Sequence, residues 1–174
     1  MDFVEFQSWI REPGLKQVAA HWNEARGERV MPSWSDLKPS RIAVHLSKVW
    51  SFRYDANSGE FFGRLVGERI GRHIGKDFRG LPLAEAYPPE AIDWARRVFQ
   101  RVVSEPALYG HLGVMFKQLE RSGSGERIIL PLSSDGRKAD GLVGATVFAA
   151  LSNAPMTLVP PTAETERWFP LKAV

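Results

Sequence analysis

Between Leu108 and Leu151 three extended runs follow one another with only short turns between them, and this spacing constrains the fold more than any other feature of the chain. The runs are Leu108 to Leu119, Arg127 to Leu132 and Leu142 to Leu151; the turns read as Ser122-Gly123-Ser124-Gly125 and Ser134-Asp135-Gly136. Parallel neighbours need a crossover of a dozen or more residues, so connections this short leave only antiparallel pairing. Pro131 lacks the N–H that a central ladder needs, which predicts a bulge or a local edge there.

The preceding residues alternate between the two periodicities. Trp50, Phe52 and Tyr54 alternate with Ser51 and Arg53, a strand pattern. Asp55-Ala56-Asn57-Ser58-Gly59 supplies turn chemistry, and Phe61 to Gly67 reads as the returning strand. ERIGRHIG then has the length of about two helical turns. Pro88-Pro89 opens the clearest helix, with Ala91, Ile92, Ala95, Val98, Phe99, Val102 and Val103 as one apolar stripe and Pro106 as its stop. Nearer the start, Pro13-Gly14 marks a break, after which Leu15, Val18, Ala19 and Trp22 form one helical face. That face must pack on the rest of the domain or on a second copy. Residues 30–39 read as a connection, with Asp36 as N-cap of a short helix that carries Pro39 in its first turn. The order of helices, hairpin, helices and three strands is an α+β arrangement with helices segregated to one side.

The chain has 174 residues, 44% of them hydrophobic, enough for one domain with a core. It has no cysteine, which removes disulfides, thiolate metal sites and cysteine nucleophiles. The first residues carry acids where a secretory leader would be apolar, and no run of about eighteen apolar residues occurs. A soluble, cytoplasmic protein with no membrane partner is expected. From Gly63 to Gly80 five cations (Arg64, Arg69, Arg72, Lys76, Arg79) face two anions (Glu68, Asp77), an excess equal to the chain's net +3. Such a patch attracts acidic ligands, although a solvated arginine-rich face is the commoner meaning. With no recognition motif and so few charges, no nucleic-acid partner is expected.

Three stretches in order, HWNEARGERVMPSWSDLKP, FFGRLVGERIGRHIGKDFRGLPLAEAY and ERIILPLSSDGRKADGLVGATVF, resemble the short single-domain bacterial PAS-type sensory proteins. Two positions depart from that pattern: Glu68, where a small hydroxyl residue is usual, and Gly63, where an aromatic is. The resemblance implies a PAS-like five-stranded antiparallel sheet with helices on one face, a small pocket between them, and an N-terminal helical extension. The corresponding division is residues 1–27 as extension, 28–152 as PAS-like domain and 153–174 as tail, with Trp168 and Phe169 docking part of that tail.

No catalytic constellation stands out, and no enzyme is expected. His21, His45, His73 and His111 are scattered, so no metal site is assigned. His73 is the least implausible axial haem ligand, but no cofactor is assigned either. Gly63, Gly67, Gly71, Gly75 and Gly80 do not make a phosphate loop, because Gly75-Lys76 is followed by Asp77; close packing of strand, helix and turn accounts for them better. In a pocketed sheet the ligand-binding candidates are Trp50, Phe52, Arg64 and Val66 from the hairpin, together with His73, Phe78, Trp94 and Phe99. Whether Arg64 faces the pocket depends on hairpin register. The expected role is sensing a small molecule or passing a state to a protein partner. The alternative is a ligand-free adaptor that self-associates as a homodimer through the Leu15–Trp22 face.

Overall fold

The computed structural model describes residues 2–149, 152, 154 and 156–172. Two helices, α1 (Asp2–Trp9) and α2 (Pro13–Arg26), precede a 3₁₀ connection; β1 (Val49–Asp55) and β2 (Glu60–Val66) form the first hairpin. Three helices follow: α3 (Glu68–Ile74), α4 (Leu83–Ala86) and α5 (Pro89–Ser104). The long strands β3 (Ala107–Gln118), β4 (Arg121–Leu132) and β5 (Gly141–Phe148) come next, then short β6 (Thr157–Leu158) and β7 (Glu166–Pro170). The five principal strands form an antiparallel sheet in the order β2-β1-β5-β4-β3, the α+β architecture expected. The tail adds β6 and β7 along β3, covering an edge that would otherwise present unpaired backbone groups. Phe169 is buried against Phe6 (5.2 Å between ring centres), and Trp168 packs on Tyr109 (4.8 Å). Asn153, Pro155, Leu151 and Val174, which bound or punctuate the tail and last strand in the sequence reading, lie outside the described residues.

Helices α3–α5 cover the inner face of the sheet, while α1 and α2 close the outer one. Leu15, Val18, Ala19 and Trp22 are all buried there, and the Trp22 indole N–H donates to the Pro131 carbonyl at 2.9 Å. The face proposed for a dimer is therefore filled by the chain's own sheet. Pro131 pairs with Leu142 but lies beyond the β3–β4 ladder, so its missing N–H falls at a local edge. The break before α2 has a specific anchor. Buried Glu126 accepts the backbone N–H groups of Arg11 (2.9 Å) and Glu12 (2.8 Å), donors that the first helical turn leaves free.

Two local readings need correction. Asp36 does not cap the helix that carries Pro39, whose N-cap is Lys38; it ends the preceding 3₁₀ turn, whose N-cap is Ser33, and accepts the Ser33 N–H (2.7 Å) and hydroxyl (2.8 Å). The Ser122–Gly125 stretch is strand rather than turn, and the chain reverses at Leu119 and Glu120, both with positive φ (50° and 61°). Gly123 belongs in the strand because the Phe116 ring lies over it, where a Cβ would sit 2.0 Å from a ring carbon. No helix among the described residues is long and apolar enough to cross a membrane.

Candidate functional site

Alternation places Trp50 and Phe52 of β1 on the inner face, where they meet the stripe of α5. The Phe99 ring stacks on Trp50 at 5.5 Å and lies 5.2 Å from Phe52; Phe52 in turn stacks on Phe78 at 5.1 Å. Trp50, Phe52, Phe78 and Phe99 are each 1% exposed or less, and Phe61 and Tyr87 complete the cluster. This half of the face is filled by the protein's own aromatics. Gly63 is part of the same packing: its N–H donates to Leu81 O (2.9 Å), its carbonyl accepts from Gly80 N–H (2.8 Å), and an added Cβ would sit 2.0 Å from the Phe78 carbonyl oxygen. An aromatic could not stand there in this arrangement.

The other sequence candidates separate. Arg64 is the extra residue where Ser51 pairs with Leu65 and Phe52 with Gly63, a β-bulge; its guanidinium lies over Trp34 at 4.8 Å, away from the aromatic cluster. Burial lowers its pKa, with Asp140 acting the other way. Val66 is half-buried at the end of β2. His73 packs edge-on to Phe148 at 5.2 Å, its pKa lowered by burial and then by Arg72 and Arg69. Trp94 is buried on α5 but faces a different set of groups, which sequence reasoning did not single out.

Those groups form one row across the sheet. Thr146 of β5 pairs with Arg127 of β4, Arg127 with His111 of β3, and His111 with Glu166 of β7. Directly opposed residues share a face, and all four are at most 8% exposed. Two members are satisfied. Thr146 accepts the Trp50 indole N–H at 2.9 Å. Glu166 accepts from Arg97 of α5 (2.9 Å) through Oε1 and from the Tyr109 hydroxyl (2.7 Å) through Oε2, and Trp94 donates to that hydroxyl at 3.4 Å.

Arg127 and His111 differ. Arg127 is 4% exposed, with its guanidinium 4.5 Å from the centre of the Trp94 ring; its Nε–H has no acceptor, and it forms no ion pair among the described residues. Glu126, its neighbour in sequence, points to the opposite face and is taken by α2. His111 is fully buried, and neither ring nitrogen has a partner among the described residues. Burial, and next the Arg127 charge, push the His111 pKa down to about 3, so the ring is neutral at physiological pH. Burial pushes Tyr87 up to about 12, with Arg127 pulling the other way, and raises Tyr109 still further with help from its bond to Glu166. Burial lowers the Arg127 pKa, opposed by Tyr87, Tyr109 and Glu166, and a guanidinium does not lose its proton in a protein. A buried cation whose nearest carboxylate, Glu166, is shared with Arg97 and Tyr109, and a buried imidazole without hydrogen bonds, are both costly for folding. Tyr87 also borders a surface groove of about 410 Å³ lined by residues 74–76 and 84–89. Among the described residues no group of three or more His, Asp or Glu side chains could hold a metal ion.

The row thus lies on the face of the five-stranded antiparallel sheet that α5 covers, with α1 and α2 on the opposite face. The family model for the PAS domain matches residues 10–147, and the chain belongs to that family. No curated protein and no solved structure matches it. Glu166 lies beyond the matched residues, so the tail contributes the carboxylate that engages Tyr109 and Arg97.

Proposed function

We propose that this chain is a cytoplasmic PAS sensory module that takes a small molecule on the inner face of its sheet and passes the bound state to a partner protein. The observation that carries the reading is the pairing on that face of two adjacent, buried polar side chains, Arg127 with its Nε–H unpartnered and His111 with both ring nitrogens unpartnered. A route outward is built into β4. Arg127 points in, and Glu126, one peptide bond away, points out to hold the start of α2. A ligand that shifts β4 at Arg127 therefore bears on the helices that a partner would read. The site moves from the hairpin candidates to the β3–β4 row, with Trp94 the predicted residue that lines it.

The packed aromatic half, in which Trp50, Phe52, Phe78 and Phe99 fill their own space, favours a second reading: an adaptor that docks on proteins without a ligand. One experiment separates the two. Native mass spectrometry of protein purified from cells, followed by thermal-shift screening against a metabolite panel, should reveal a bound or stabilising molecule. A protein of bare mass that responds to no compound refutes sensing and leaves the adaptor.

A further inference from the structure

We propose that the β3–β4 site holds the carboxylate of a small organic monoacid, with the Arg127 guanidinium as its counter-ion and the His111 ring as a hydrogen-bonding partner. This rests on the sensing role above and narrows it to a ligand class.

Charge decides the class. The acids nearest Arg127 are already engaged: Glu166 uses one oxygen for Arg97 and the other for Tyr109, and Glu126 is held by two backbone N–H groups on the far side of the sheet. Arg127 is thus a buried cation that has only a share of the Glu166 charge and no ion pair of its own among the described residues. A single carboxylate balances it. A phosphate dianion would bring a second charge that the neutral His111 ring cannot meet, at a desolvation cost that buried ions do not recover without partners. Geometry agrees, because the guanidinium carbon lies 4.5 Å from the centre of the Trp94 ring and the Nε–H is left without an acceptor, and the N–H groups of a guanidinium form a fork that fits two carboxylate oxygens. The neutral imidazole has one N–H to donate and one nitrogen to accept, so it can bond the acid and a neighbouring hydroxyl or amide of the same molecule. The adjoining walls, Trp94 and Tyr87, are aromatic and suit an apolar body on the acid.

The test is differential scanning fluorimetry of the full chain with a panel of aliphatic and aromatic monoacids from propionate to phenylpropionate, each beside its primary amide, with inorganic phosphate as a further arm. At least one acid should raise the melting temperature while its amide does not. Titration of the wild type with that acid should move one arginine Nε–H resonance in ¹⁵N spectra, a readout that needs no variant. Arg127→Met should weaken the acid by about 10- to 100-fold, the worth of a charge-assisted hydrogen bond, and Arg127→Lys, which keeps charge without the fork, should fall between. Equal shifts by acid and amide, or binding of phosphate in place of any acid, overturn the monoacid proposal while small-molecule sensing stands. No response to any acid, with every arginine Nε–H signal unmoved, also overturns it. If native mass spectrometry then shows a bare protein, the sensing role falls too.

Discussion

Replacing His111 with phenylalanine removes a titrating group from the core and should flatten the acid limb of the stability curve. The ring is fully buried, with Arg127 opposite on β4, Glu166 opposite on β7 and Tyr109 two residues along its own strand. Its folded pKa of about 3 lies below the ordinary 6.5 that it regains on unfolding. The sign follows. Above 6.5 neither state is protonated and stability is flat. Below 6.5 the unfolded chain takes up a proton that the folded chain refuses, so stability is lost as pH falls toward 3. At about 1.36 kcal/mol per pH unit, the wild type should lose about 2 kcal/mol between pH 7.5 and 5.0 through this one residue. For a chain of this length that is about 4–8 °C in Tm. Urea unfolding of both proteins at the two pH values measures the difference directly, and His21, His45 and His73 cancel because both proteins keep them. His111→Phe should lack that loss. Parallel curves would mean that the His111 ring is hydrated or paired in solution, and the proposed site would then rest on Arg127 alone.

Three further outcomes follow from packing. Gly63→Ala should cost about 1–3 kcal/mol in urea unfolding, because the new methyl group meets the Phe78 carbonyl rather than a movable side chain. Trp22→Asp should destabilise the monomer by more than about 3 kcal/mol, since it places a charge on the buried outer face; sedimentation that instead reports a well-folded protein of lower order would restore that face to a dimer. Glu126→Ala frees the N–H groups of Arg11 and Glu12, so hydrogen exchange should rise at the α1–α2 junction before it rises in β3 or β5.

Much of this fold was legible because its signals are local. Connections too short for crossovers dictated antiparallel pairing, the alternation of Trp50 and Phe52 gave the inner face of β1, and the stripe from Ala91 to Val103 gave the helix that covers it. Where the reading failed, the deciding contact was distant. Leu119 and Glu120 turn the chain with positive φ although neither residue favours it, and Ser122–Gly125, which looks like turn chemistry, is strand because Phe116 needs the space over Gly123. Arg64 drew attention through its charge, yet a single bulge residue was enough to direct it toward Trp34.

Arg127 and His111 were hidden for a different reason. Strands exposed on one face announce buried polar groups by breaking an alternation. Here α1 and α2 close the outer face, so β4 from Arg127 to Leu132 is buried throughout and has no alternation to break. The same fact, turned round, is the signal that could have found the site. In a strand covered on both sides an arginine is buried whichever way it points, and it must then have a partner. Glu126 cannot be that partner, since consecutive residues of a strand face opposite ways. The row across β5, β4, β3 and β7 supplies only Glu166, which Arg97 and Tyr109 already engage, and on the proposed reading a ligand completes the balance.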